Sequence, residues 1–265
     1  MTLPILRNIP RVISRNRNLL GVVSLFLGLF GWWLAARMSG LPAFILPSPG
    51  NVWSRLLIAL GDGSLLFHAG VTLLEIMLGL VTGVLLATIL GYLVAKSRTL
   101  ERALSPYLVA SQAVPLVAIA PLLVIWFGPG MFSKVLICAL IVFFPVLVNT
   151  VVGVRAVPPS LHDLMRSLHA SRREILFKLE VPASLPIFLG GLRIGATLSV
   201  IGAVVGELVG ADSGLGFLIN VGRGQYDTAL VFVAVFTLIT LALMLYGVVI
   251  LMERKFLNWQ EVIER

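Results

Sequence analysis

The sequence holds 265 residues, of which 58% are hydrophobic and 12% charged, with a mean hydropathy of +1.03. That composition excludes a soluble globular domain and leaves a single bundle of membrane helices over residues 1–265. The net charge of +8 fits an anionic surface or nucleic acid in principle, but the basic residues are placed as a topology signal and no nucleic-acid partner is expected.

In chain order, residues 1–18 carry Arg7, Arg11, Arg15 and Arg17 without an acid and precede an apolar run from about Leu19 to Ala36. Signal peptides have shorter apolar cores, so this run reads as an uncleaved first span. The proline-rich turn Leu41–Gly50 and a short interfacial helix from Asn51 to Leu60 follow. Further spans are expected at about His68–Ala95, Pro106–Phe127, Phe132–Val154, Ile187–Val209 and Ala229–Met252. Lys96–Arg102 reads as a compact charged loop, and Ala211–Thr228 as a polar, glycine-rich one. The third span contains Pro106, Pro115 and Pro121, each of which removes a backbone donor; a broken helix of this kind is tolerated where protein or water satisfies the freed carbonyls. Gly79 and Gly83 give the second span a small-residue row. On the fifth, Gly202/Gly206/Gly210 and Gly191/Gly195/Ser199 read as two such faces, which would let that helix pack centrally on both sides.

Six spans put both termini on one side, and the positive-inside rule says which. Arg7, Arg11, Arg15, Arg17, Lys96, Arg98, Arg102, Arg155, Arg166, Arg172, Arg173, Lys178, Arg254, Lys255 and Arg265 fall on one face; Arg37, Arg55, Lys134 and Arg223 fall on the other, with Arg193 inside a span. Fifteen against four makes the termini and the long 156–186 loop cytoplasmic.

That loop is the one extended polar interruption. Leu161, Leu164, Met165 and Leu168 follow i, i+3, i+4, i+7 spacing, the stripe of an amphipathic helix; the stripe fails at Arg172 and resumes at Ile175, Leu176 and Leu179. Ser160 precedes Asp163 by three residues, and Ser171 precedes Glu174 by three, so each serine is placed to cap a helix. His169 and Ala170 lie at the joint, and His tolerates a left-handed turn better than most residues. Pro182 and Pro186 are expected to end the second helix. The picture is two small helices meeting at an elbow, with an amphipathic pair on the lipid surface as the competing reading.

The elbow resembles the "EAA" loop of permease subunits in ATP-binding-cassette (ABC) importers: E-A-A, three residues, G, nine residues, I-x-L-P. Asp163-Leu164-Met165 stands for E-A-A, His169 for the glycine, and Leu179-x-Val181-Pro182 for I-x-L-P; the spacing matches throughout, and Pro182 alone is identical. Leu46-Pro-Ser-Pro49, Val114–Gly130, Gly191-Leu-Arg-Ile194 and Gly214-Leu-Gly-Phe217 are similar to the nitrate, sulfonate, taurine and thiamine-precursor group of these permeases. The resemblance implies an all-α membrane protein of six transmembrane helices with a cytoplasmic coupling-helix loop, the type I ABC importer permease fold, in a bacterial inner membrane. It implies a second permease copy, two ABC ATPase subunits that bind the ATP and magnesium, and a soluble or lipid-anchored substrate-binding protein, with membrane lipid around the bundle. ATPase docking then falls to Ser160, Leu161, Asp163, Leu164, Met165, Leu168, His169, Ala170, Ser171, Arg172 and Arg173.

No Gly-x-x-x-x-Gly-Lys-Ser/Thr phosphate loop occurs, so the chain by itself cannot cradle ATP, and no catalytic set or metal-ligand spacing is present in the sequence. Polar residues in the apolar runs are Glu75, Gln112, Asn149, Arg193 and Glu207. Glu75, Arg193 and Glu207 lie near span ends, where snorkelling to water costs little; Gln112 and Asn149 are expected to bond to backbone or neighbouring helices. The candidate substrate path comprises Gln112, Pro115, Asn149, Ser199 and Glu207. A self-sufficient secondary transporter or channel is the main alternative, and its usual two similar halves and midplane charges are missing from the sequence. A membrane scaffold without transport is the third reading.

Overall fold

The computed structural model describes residues 10–113 and 115–257, with side chains from Leu20 onward except at positions 21, 22, 109 and 111–113. Every regular element among them is helical: α1 (Pro10–Met38), α2 (Pro49–Gly61), α3 (Ser64–Lys96), α4 (Arg98–Ala113), α5 (Leu116–Phe127), α6 (Met131–Arg155), α7 (Pro159–Ser167), α8 (Arg172–Ile175), a π-helical turn (Leu176–Glu180), α9 (Val181–Gly210), α10 (Leu215–Gly224) and α11 (Thr228–Phe256). Four continuous helices are long and apolar enough to cross a membrane: Ser64–Lys96, Met131–Arg155, Arg172–Gly210 and Thr228–Phe256. Val23–Met38 and Leu116–Phe127 are shorter apolar helices. The expected third span is divided into α4 and α5, with Pro115 between them in an extended conformation (φ −70°, ψ 97°). Pro121 remains inside α5, and Pro106 inside α4.

The centre of the bundle is α6. On one side Gly79, Gly83 and Gly91 of α3 press against it; on the other, Gly191, Gly195, Gly202 and Gly206 of α9 do the same. A Cβ at Gly79 would lie 2.2 Å from Cys138 Cβ, and one at Gly202 2.8 Å from Cys138 Cα. Cys138 therefore packs between two glycines from two helices. The fifth span, α9, is central as expected, touching α3, α5, α6, α10 and α11, but it does not have two small-residue faces. Positions 191, 195, 199, 202 and 206 return to nearly the same angle after eleven residues, about three turns, so they form one stripe, and all of it meets α6.

The sequence also misplaces several boundaries. Lys96–Arg102 is not a loop: only Ser97 separates α3 from α4, and its hydroxyl accepts from the Leu100 N–H at 3.2 Å. The 211–228 stretch contains α10, whose Leu215, Leu218 and Gly222 are buried; with Ile219 they follow a helical spacing that the surrounding glycines obscure. Pro182 and Pro186 do not end a helix. The chain turns from α8 through the π turn directly into α9, and the Val181 N–H bonds the Leu176 carbonyl, five residues back. That wider turn ends at the residue before Pro182, which has no N–H to give, so the change of bonding falls where the proline enters the helix.

Candidate functional site

The elbow begins at α7. Its start is two residues earlier than the serine signal implies: Pro158 is the N-cap, Pro159 takes the first helical position, and Ser160 makes no capping bond. Proline suits that position because its φ is preset and its missing N–H would be unpaired there anyway. The helix stops at a left-handed residue, His169, at φ 57°. The Ala170 N–H bonds the Met165 carbonyl at 3.0 Å and the His169 N–H bonds the Arg166 carbonyl at 2.9 Å. These are the two bonds of a Schellman ending, which glycine usually supplies; His169 occupies the position of the motif's glycine and adopts its conformation. Ser171 then caps α8 with a complete capping box, the Ser171 hydroxyl accepting from the Glu174 N–H and the Glu174 carboxylate accepting from the Ser171 N–H. That N–H, together with Lys178 and the Ser171 hydroxyl, holds the Glu174 carboxyl down to about 2.

What the elbow presents follows from its burial. α7 buries none of its residues. Leu161, Leu164 and Leu168 are 39%, 54% and 67% exposed, whereas His162 and Met165 are half-buried toward the bundle. Ser160, Asp163, His169, Ser171, Arg172 and Arg173 are exposed and Ala170 is half-buried. The structure thus brings the eleven expected docking residues onto one protruding elbow with an uncovered leucine stripe.

Sequence reasoning missed the residue at the root of that elbow. Glu180, 1% exposed, closes the π turn. Its carboxylate accepts from the Tyr92 hydroxyl at 3.0 Å and from Lys96, both on α3, and meets His162 Nε2 of α7 at 3.0 Å. The signal available in the sequence was a lone acid between Leu179 and Val181 in an apolar stretch.

At the opposite end of α9 sits a second buried carboxylate. Glu207 is fully buried and accepts from Thr72 Oγ1 at 2.6 Å and from the Gly216 N–H at 2.5 Å. Thr72 accepts in turn from the Leu215 N–H at 2.8 Å, and His68 Nδ1 from the Gly214 N–H at 3.0 Å. Three successive N–H groups at the start of α10 are thereby bound by α3 and α9, with the Glu207 charge at the positive end of the helix. Gly214 has φ 110°, and any Cβ there would collide with the Glu207 carboxylate at 2.2 Å. Beside it Glu75, also fully buried, pairs with Lys134 at 3.0 Å. This overturns the snorkelling expectation for Glu75 and Glu207: both are 0% exposed, a buried carboxylate needs a partner, and each has one. Lys134 leaves the exposed charge count for the same reason. Arg193 is paired as well, with Glu253 of α11, and lies over the Tyr246 ring.

The remaining candidates of the substrate path are not gathered in one place. Asn149 donates to the Pro145 carbonyl at 2.8 Å on its own helix and packs against Gly191, which agrees with a backbone-bonding role. Ser199 is fully buried at the α6–α9 contact and donates to the Ala196 carbonyl at 2.7 Å. Pro115 is exposed at the α4–α5 break, and the Gln112 side chain lies outside the described residues.

Comparison with known proteins identifies similar chains. The model of a family described as binding-protein-dependent transport system inner membrane component matches residues 79–258. The riboflavin transport system permease protein RibX of Chloroflexus aurantiacus is 46% identical over 263 residues, 98% of either chain. The formylaminopyrimidine transport permease protein ThiX of Halalkalibacterium halodurans is 38% identical, covering 87% of this chain and 91% of its own. The taurine transport system permease protein TauC of Escherichia coli is 34% identical over 80% of each. Among solved structures, a chain of the MetNI methionine ABC transporter in inward facing conformations superposes with a TM-score of 0.62 at 17% identity, over 71% of this chain and 94% of that one.

Proposed function

Since the chain belongs to the family of binding-protein-dependent transport system inner membrane components and is a permease subunit of an ABC importer with the type I fold, we propose that it is a passive half-channel whose energy arrives through the elbow. The observation that carries this reading is the uncovered Leu161/Leu164/Leu168 stripe on a helix that buries nothing of its own. A short helix closed by a Schellman turn and followed at once by a capped second helix suits a protein cleft, where apolar anchors are worth about 2 kcal/mol or more. An ATPase subunit is the occupant; two copies of this chain would carry two of them. ATP-driven approach of the two elbows would turn the bundle from inward-open to outward-open, and a binding protein would deliver the solute to the open cavity.

The elbow end is cytoplasmic in this reading, together with both termini, in a bacterial inner membrane. The charge asymmetry, fifteen basic residues against four, supports that orientation. The solute is a small nitrogen heterocycle of vitamin type, since the relatives at 46% and 38% identity are named for riboflavin and formylaminopyrimidine, ahead of the taurine protein at 34%.

Reconstitution tests the reading. Vesicles holding the chain, its ATPase and its binding protein take up labelled riboflavin or formylaminopyrimidine only with ATP inside, and the chain alone takes up neither under an ion gradient. Gradient-driven uptake by the purified chain contradicts it in favour of a secondary transporter.

A further inference from the structure

We propose that α3 is a connecting rod that carries motion of the elbow to the outer loops, with Glu180 as its inner joint. This rests on the reading that an ATPase docks on α7. Among the described hydrogen bonds, His162 to Glu180 is the one that ties an α7 side chain to another helix. The same carboxylate binds Tyr92 and Lys96 in the last two turns of α3. Glu180 is 1% exposed, so it has no water to fall back on, and three donors converge on its two oxygens. Hydrogen bonds to a desolvated charge are short, directional and strong, which suits a joint that must transmit displacement without slack.

Packing is open beside that link. A cavity of about 370 Å3 lies beside it, lined by residues that include Tyr92, Leu93, Thr150, Leu176, Val181 and Phe188. There α3 and the π turn stand apart, and the polar joint spans the gap. The π turn itself sets the joint: a turn with i→i+5 bonding inserts one residue into the helix, and Glu180 is the residue at its end.

The far end of the rod is fastened too. α3 runs 33 residues from Ser64 to Lys96, about 50 Å at helical rise. In its first turns His68 accepts from the Gly214 N–H and Thr72 from the Leu215 N–H. These bonds hold the loop that carries Asp212 and Ser213, which stand at the outer edge of the bundle in the topology proposed above. A line of contacts therefore runs His162, Glu180, Lys96 and Tyr92, the body of α3, His68 and Thr72, Gly214 and Leu215. Coupling between distant sites can be carried by such a line of contacts together with a rigid secondary element; α3, one unbroken helix packed on α6 through its glycines, is that element. Glu180 is a positioning residue in this scheme, since it touches neither nucleotide nor solute.

The test uses the full permease–ATPase complex in vesicles, with ATP and vanadate as the trapping probe. Ser213→Cys reports the outer loop through its rate of labelling by a membrane-impermeant maleimide; the natural Cys138 is fully buried and stays silent. In the parent complex trapping changes the Ser213→Cys rate. In His162→Leu and in Glu180→Gln the ATPase stays bound and traps nucleotide to the parent extent, while the trapping-induced change in rate falls on the order of fivefold or more, the lower bound for energetic coupling between sites. His162→Gln, which keeps an N–H donor at that position, restores it. A merely structural role would lower trapping and the outer response in the same proportion and would overturn the proposal. Leu164→Asp in parallel separates the two levels of the argument. If it leaves the ATPase bound, the docking reading fails and the rod with it. If it releases the ATPase while His162→Leu and Glu180→Gln keep the full outer response, the rod alone fails.

Discussion

The two ends of the long helix built from α8, the π turn and α9 carry the same chemical device with opposite surroundings. At one end Glu207, Glu75 and Lys134 are all buried, the side chains of Glu75 and Lys134 at 0% and 4% exposure, and the last two line a pocket of about 460 Å3. At the other, Glu180 is as deeply buried, but its partners Lys96 and His162 are 40% and 22% exposed in their side chains. A buried acid whose partners are also buried holds the fold together; one whose partners reach the surface joins the fold to what lies outside it. The comparison teaches that one buried carboxylate anchors and the other articulates, and that burial of the acid alone does not tell them apart.

The largest effect that could break this comparison comes from the end where acid and partner are both buried. Lys134→Met leaves Glu75 and Glu207 without a cation and is expected to cost about 3–5 kcal/mol, as for other broken buried pairs, read as thermal unfolding in detergent. His162→Leu at the Glu180 end removes one bond of three and is expected to cost about 1 kcal/mol. Equal losses would erase the distinction.

Between the two ends lies the glycine-lined contact that brings α3 and α9 close against α6. Gly79→Ala sets a methyl 2.2 Å from Cys138 Cβ and is expected to cost about 1–3 kcal/mol by overpacking. Gly190→Ala meets nothing within 4 Å and should be neutral or stabilising by up to about 1 kcal/mol, the helix propensity difference. Denaturation of the pair distinguishes a glycine that spaces helices from one that merely stands beside such a row.

The smallest effect belongs to the turn that aims the elbow. His169 holds φ 57° at a cost to any residue bearing a Cβ. His169→Gly relieves that cost and is expected to leave ATPase binding intact and raise stability by less than about 1 kcal/mol. A fall in transport with assembly preserved would show that the imidazole makes a contact of its own.

Much of this was legible in the chain. Apolar runs located the helices that cross, Pro115 marked the break between α4 and α5, Ser171 and Glu174 marked a real capping box, and the i, i+3, i+4, i+7 stripe from Leu161 drew α7. The resemblance supplied the family. Other features were hidden for physical reasons. Ser160 looked like a cap because the serine signal is local, whereas Pro158 and Pro159 had already set the helix start. Pro182 and Pro186 looked like terminators because sequence rules assume α-helical bonding, and the π turn departs from it. Glu207 looked like an acid near a span end and Glu180 like a lone acid in an apolar stretch, since their meaning lies in partners 135 and 84 residues away. Two glycine rows looked like two faces until eleven residues were laid over three turns.

The central claim is that the leucine stripe of α7 is the surface through which energy enters. Its most direct measurement is recovery of the ATPase subunit with tagged Leu164→Asp purified from membranes, against the parent chain and with insertion checked by its yield in the membrane fraction. The account predicts normal insertion with the ATPase lost, whereas Arg172→Ala and Arg173→Ala, at the exposed rim, mainly slow assembly. Recovery of the ATPase with Leu164→Asp at the parent yield would contradict it and leave the elbow as a pair of helices resting on lipid.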